Sequence, residues 1–392
     1  MTELPLGLYI HIPFCQRKCP YCDFNTYAGL DRLFNPYVEA LTQEIRRTGE
    51  ALEHPVASTL FLGGGTPTVL PVELLADVLT ACRQAFQLSP DVEITSEANP
   101  GTVDQACFSG LRALGVNRLS MGVQSFDPEE LRFLGRIHGA NEAEAAFHAA
   151  RAAGFENINL DLIYGLPGQK PETWLATLDR AIALEPEHIS LYSLTIEEGT
   201  PFARWAAEGR IAYPDDDLAA ELYELASERL QAAGYVQYEI SNWARHASMP
   251  PFADQNPRFA CQHNLIYWRY QPYLGFGAGA HSMQPGRRWW NLRSPQAYIQ
   301  RIREGKSAEG GHEVISERLG MGEMMMLGLR LVREGVSDVA FQRRWGVSLA
   351  EIFGPVLDEL EALGLLERLP GRVRLSPRAY LIGNQVFARF LP

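Results

Sequence analysis

The chain has 392 residues, with 35 Lys plus Arg against 47 Asp plus Glu and a formal net charge of −12. That length leaves room for two or three domains at roughly 150 residues each, and a hydrophobic content of 46% supplies an ordinary buried core. The acidic balance argues against nucleic acid as a partner and allows at most peripheral contact with an anionic membrane. The N-terminal stretch has no basic run and no small-residue cleavage site, so no signal peptide is expected. The longest uncharged stretch, residues 55–72, is broken by Gly63, Gly64, Gly65, Pro67 and Pro71 and cannot be a spanning helix. A cytoplasmic protein is expected.

Six short runs rich in Ile, Leu and Val, at residues 7–12, 58–62, 92–97, 118–123, 157–163 and 188–195, have the pattern of strands buried on both faces. Amphipathic stretches over 35–47, 71–86, 102–114, 142–153 and 171–184 predict helices between them, and Asp127-Pro128 and Lys170-Pro171 mark helix starts. Strand and helix alternating six times imply a parallel sheet, two units short of a closed eight-fold barrel. The expected fold class is therefore α/β, an open partial (β/α)6 barrel over residues 1–235. A capped helix is expected over 215–234. Residues 236–311, rich in aromatics, Gly and Pro, read as a connecting segment with no assigned elements. From residue 312, helical patterns at 317–333, 338–345 and 349–364 precede a hairpin at 366–376 that turns at Pro370-Gly371. This predicts a winged-helix-like α+β domain over 312–392. Residues 311–392 hold ten Arg and no Lys against ten Asp plus Glu, a net of zero. That is a poor footprint for duplex DNA, so a packing or lid role is expected instead.

Cys15, Cys19 and Cys22 fall within eight residues, whereas Cys82, Cys107 and Cys261 are scattered. The C-x3-C-x2-C spacing lets three thiolates hold three irons of a [4Fe–4S] cube and leaves the fourth open to a small molecule. A structural zinc would need a fourth protein ligand, and His11, the one nearby choice, lies beyond Pro13. In a partial barrel, function collects at the C-terminal strand ends, and the polar residues fall there. Gly63-Gly-Gly-Thr-Pro67 follows the second strand, Glu97 ends the third, Gln124 follows the fourth and Asp161 lies in the fifth. Together they read as a ligand-facing arc. The glycines let a backbone carbonyl approach an ammonium group closely.

C-x3-C-x-aromatic-C on the loop after the first strand resembles the radical S-adenosylmethionine (SAM) superfamily. In that family the open iron binds the amino and carboxylate groups of SAM, and an electron from the cluster cleaves the sulfonium. The stretches Leu8-Tyr-Ile-His-Ile-Pro-Phe-Cys15, Gly63-Gly-Gly-Thr-Pro67, Ser120-Met-Gly-Val-Gln-Ser-Phe126 and Asp161-Leu-Ile-Tyr-Gly-Leu-Pro167 resemble the oxygen-independent coproporphyrinogen III oxidase (HemN) subgroup. By that resemblance Tyr9, Gly64, Gly65, Thr66, Glu97, Gln124, Arg136 and Asp161 contact SAM, and a flavodoxin or ferredoxin supplies the electron. Two departures stand out. The oxidase has a fourth cysteine where this chain has Phe24, and it carries an extension ahead of a strand that here begins within the first ten residues.

Both departures are shared with the HemW-type haem chaperones. Those proteins also carry an H-N-x-x-Y-W signature, present here as His263-Asn264-Leu265-Ile266-Tyr267-Trp268 and followed by Gly275-Phe-Gly-Ala-Gly-Ala-His281-Ser282. The resemblance implies a protein that binds haem and passes it to an acceptor protein. The alternative it leaves is oxidative decarboxylation of the propionates of coproporphyrinogen III. A histidine beside Tyr and Trp can ligate haem iron, so His263 is the expected axial ligand, with His281 and Cys261 as rivals. Met324-Met325-Met326 lies in a helical pattern and reads as core.

Overall fold

The computed structural model of the chain describes residues 5–245 and 256–392. Strands β1 (Leu6–Ile12), β2 (Val56–Gly64), β3 (Gln87–Ala98), β4 (Arg118–Gln124), β5 (Ile158–Tyr164) and β6 (His188–Ser193) lie side by side in chain order, each pair parallel. Helices α1 (Phe34–Ala51), α2 (Val72–Ala85), α3 (Gln105–Ala113), α4 (Pro128–Phe133), α5 (Ala140–Ala152) and α6 (Pro171–Ala183) run between them. This is the expected six-unit repeat. The strands read clearly in the sequence because both faces are covered; six of the seven residues of β1 are buried. Leu8, Ile10, Leu60 and Leu62 pack with Leu41 and Ile45 of α1 and Leu75 and Leu79 of α2 in one core, each such side chain contributing roughly 1.5–3 kcal/mol by leaving water.

The sheet then grows at both ends to twelve strands. Past β6 it adds two antiparallel strands, β7 (Tyr235–Glu239) at the edge and β8 (Asn242–Arg245) inside it. Beyond β1 come β9 (Tyr273–Phe276), parallel to β1, and the antiparallel meander β10 (His281–Gln284), β11 (Arg287–Asn291) and β12 (Glu309–Val314). Residues 236–311, left without elements by the sequence, thus contribute strands to both flanks. Helices α7 (Pro201–Ala207) and α8 (Asp216–Ala232) precede them, the latter capped by the Asp215 carboxylate, which accepts from the amides of Asp217 and Leu218. In sequence the seven-residue α9 (Gln262–Trp268) lies between β8 and β9, and α10 (Pro295–Arg303) between β11 and β12.

The C-terminal residues build the expected winged-helix-like α+β unit. Helices α11 (Glu317–Gly328), α12 (Asp338–Trp345) and α13 (Leu349–Ala362) precede the hairpin of β14 (Leu366–Leu369) and β15 (Arg372–Leu375), which pairs with the short β13 (Val336–Ser337). Met321, Met324, Met325, Phe341 and Phe353 lie in its core and Met326 packs against it, so all three consecutive methionines are packing residues. Buried Glu323 joins this unit to the sheet, accepting from Tyr270 Oη at 3.1 Å and from Arg288 at 3.1 Å. Among the described residues no helix is long and apolar enough to cross a membrane.

Candidate functional site

β1 ends in the loop that carries the three cysteines. Its first turn is fixed by a short ladder in which Phe14–Cys15 pairs with Tyr27–Ala28, and its far end by the Cys22 amide donating to Cys19 O at 3.2 Å. All three thiols are half-buried, and burial pushes those of Cys15 and Cys22 up. Among the described residues no three His, Cys, Asp or Glu side chains converge as a single-ion site requires. The thiols instead share a cavity of about 550 Å³ at the C-terminal ends of β2 to β6.

The rest of that cavity is the predicted arc. Gly64, Gly65, Thr66, Glu97, Gln124, Arg136 and Asp161 all line it. At Gly64, with φ +112°, a Cβ would lie 2.4 Å from the His11 ring; at Gly65 it would lie 2.4 Å from Phe14 O. Only glycine lets this strand end close on the cysteine loop. Glu97 accepts from the Gly64 amide at 3.0 Å. Burial, and the neighbouring Asp161, push its carboxyl up to about 8. Asp161 is also raised by burial, although Ser120 Oγ at 3.0 Å and Asn159 Nδ2 at 2.9 Å donate to it. Gln124 holds φ +70°, a left-handed conformation worth roughly 1–3 kcal/mol of strain in a residue with a Cβ. Arg136 is half-buried, donating to Gly122 O at 2.5 Å and toward Cys19 Sγ at 3.4 Å. Among the described residues its buried Nε finds no hydrogen-bond partner. A cavity lined by two carboxyls and one guanidinium suits a zwitterionic ligand, the acids meeting its cationic groups and Arg136 its carboxylate.

Tyr9 is not in this cavity. It lines a second one, of about 610 Å³, together with Tyr267, Tyr273, Trp290 and His281. Gly64, Glu97 and Phe24 line both. His281 is exposed, its ring 5.7 Å from that of Trp290.

The structure does not bring His263 to either cavity. The residue is 1% exposed; Nδ1 pairs with Thr59 Oγ1 at 2.8 Å and Nε2 with Tyr267 Oη at 2.8 Å. Burial and Arg118 lower its pKa to about 3. The expected iron ligand is therefore a neutral core histidine with both nitrogens occupied. Cys261 is likewise buried, against Glu93. The H-x-x-x-Y part of the signature is an i, i+4 pair on α9 that sets Tyr267 in the cavity wall. The Glu93 carboxylate on β3 accepts from the amides of Gln262 and His263 and so caps the helix.

A family model described as "Radical SAM superfamily" matches residues 9–181, and one described as "HemN C-terminal domain" matches residues 316–382. The heme chaperone HemW of Bacillus subtilis (strain 168) is 40% identical over 385 residues, spanning 98% of this chain and 98% of its own. That of Escherichia coli (strain K12) is 38% identical over 398 residues, spanning 100% of both. The chain belongs to the HemW family of the radical SAM superfamily. The coproporphyrinogen III oxidase (HemN) of Escherichia coli, a radical SAM enzyme, shares the fold with a TM-score of 0.81 and 26% identity over 99% of this chain and 90% of that one.

Some site residues escaped the sequence reading. Ser120, Asn159 and Ser190 lie on adjacent strands; Ser120 and Asn159 hold Asp161 directly, and Asn159 Oδ1 accepts from Ser190 Oγ at 3.0 Å and pairs with His188 Nδ1 at 2.6 Å. Polar residues inside apolar strand runs were the signal. Trp290 and Tyr273 had none, since their placement depends on how the meander folds back.

Proposed function

We propose that this HemW-family chain is a haem chaperone that carries a [4Fe–4S] cluster and SAM in one cavity and haem in the next. Cys15, Cys19 and Cys22 hold the cluster, which when bound supplies single electrons and an open coordination position. Gly64, Gly65, Thr66, Glu97, Gln124, Arg136 and Asp161 hold SAM, with Tyr9 behind the strand end they share. Haem lies against Tyr267, Tyr273 and Trp290, and His281 replaces His263 as its candidate iron ligand. The observation that carries this reading is the pair of cavities meeting at Gly64, Glu97 and Phe24, one lined by thiols and carboxyls, the other by aromatic rings.

In this reading residues 1–235 form the cofactor unit, 236–311 carry the haem wall and 312–392 brace it from behind. Cytoplasmic haem is received and passed to an acceptor protein, and a flavodoxin or ferredoxin reduces the cluster. The test is to purify the protein without oxygen, reconstitute the cluster, and offer haem and coproporphyrinogen III separately. A stable Soret band without loss of CO2 is expected, and His281→Ala should shift that band while leaving the iron–sulfur absorption intact. Conversion of coproporphyrinogen III to protoporphyrinogen IX would establish the decarboxylase instead.

A further inference from the structure

Phe24 is 64% exposed, an unusual position for a large apolar ring. Its backbone is pinned: Phe24 O accepts from Lys18 Nζ at 3.0 Å and from the Thr26 amide at 2.7 Å. The backbone is thus fixed at the mouth of both cavities while the ring stands largely free of the protein. It also lines both cavities, a property it shares with Gly64 and Glu97 alone among their lining residues. The partition therefore consists of a glycine that cannot be enlarged, a carboxyl tied to that glycine's amide, and one apolar ring.

The chemistry on the two sides is incompatible. One side offers three cysteine thiols, and thiolates are strong ligands for haem iron. The other offers aromatic faces suited to a flat macrocycle, with an exposed histidine for its metal. Across the partition, only Phe24 contributes apolar surface.

We propose that Phe24 is a specificity-determining partition: its ring covers the cluster-facing side of a bound metalloporphyrin and keeps the metal away from the cluster cysteines. This rests on the haem reading given above. Burying an aromatic ring that stands free in the protein contributes to affinity through the area it loses to water and through ring stacking. Glu97 and Gly64 cannot substitute for it, since a carboxyl and a bare backbone have no comparable surface.

The experiment uses the anaerobic, cluster-loaded protein, with haem affinity read from the Soret band and SAM binding from the electron paramagnetic resonance of the reduced cluster. Phe24→Ala should weaken haem at least tenfold, and Phe24→Leu should recover part of that loss. SAM should still perturb the cluster signal in both. Haem offered to Phe24→Ala should also displace iron from the cluster or show a thiolate-ligated spectrum, which a merely structural role for the ring would not produce. Haem affinity unchanged from wild type in Phe24→Ala overturns the partition while leaving haem binding itself standing. Should Phe24→Ala fail to take up a cluster, Phe24→Leu decides, and wild-type haem affinity with wild-type spectra in that variant overturns the proposal. Absence of haem binding in the wild type overturns the underlying reading and the partition with it.

Discussion

Burial and charge assign different work to chemically similar side chains. Cys15, Cys19 and Cys22 are half-buried and line one cavity, whereas Cys82 and Cys261 are fully enclosed in core. Serine at any of the first three should therefore abolish iron–sulfur absorption after reconstitution, and alanine at Cys82, Cys107 or Cys261 should leave iron content at the wild-type level. Iron lost with Cys107→Ala but kept with Cys22→Ser would overturn the ligand set. Glu97 makes a second case. Its carboxyl keeps its proton up to about pH 8, and its ionised form pairs more strongly with a cationic ligand group. SAM affinity should therefore climb between pH 6 and pH 8, by at most about tenfold per unit, and Glu97→Gln should flatten that profile at lower affinity. Calorimetric titration across this range checks it; a profile that falls with pH excludes Glu97 as the acceptor.

At the level of elements, α9 shows why the H-N-x-x-Y-W signature was readable as a motif but not as a place. Its spacing declared a helix face, yet the partners of that face, Thr59 on β2 and Glu93 on β3, lie 204 and 170 residues away from His263. The six parallel strands were legible because burial on both faces makes each a continuous apolar run. The meander was not: in β11 three tandem residues, Arg288, Trp289 and Trp290, are each half-buried, so no alternation marks an inner face. The cluster loop and the carboxyl arc could be read from strand order alone, whereas the aromatic cavity needed the antiparallel return of residues 281–314. The cap itself is testable. Glu93→Ala leaves the first amides of α9 without an acceptor beneath a closed core, at a cost of about 2 kcal/mol. The urea midpoint should fall accordingly, and haem affinity with it as Tyr267 loosens. An unchanged midpoint would mean that α9 is held by packing alone.

For the whole molecule, the buried titratable groups set a pH of greatest stability. Burial lowers His138 to about 4 and His263 to about 3, and lowers His188 as well. Below the ordinary histidine value of 6.5 the unfolded chain binds protons that the folded chain refuses, so these groups make stability rise with pH up to about 6.5. The carboxyls act in the opposite sense. Glu44, which accepts from Tyr298 Oη, the Gly277 amide and Asn291 Nδ2 and so ties α1 to the meander and to α10, is raised to about 7, and Glu97 to about 8. Between 4.5 and those values the folded chain holds protons that the unfolded chain has released, so stability falls as pH rises. The two sets oppose each other from about pH 4.5 to 6.5. Above 6.5 the histidine contribution is complete and only the carboxyls still titrate. Urea unfolding of the cluster-free protein should therefore show its highest midpoint near pH 6.5 and a loss of roughly 1–2 kcal/mol by pH 8, the half-buried positions of both acids keeping the slope below the full value of about 1.4 kcal/mol per unit for each group. Glu97→Gln should remove the larger share of the decline above pH 7, because Glu44, near 7, is already half ionised there whereas Glu97, near 8, still holds most of its proton. A wild-type midpoint that keeps rising from pH 6.5 to 8 would mean that both acids are already ionised in the folded chain, and the neutral carboxyl at the boundary of the two cavities would have to be given up.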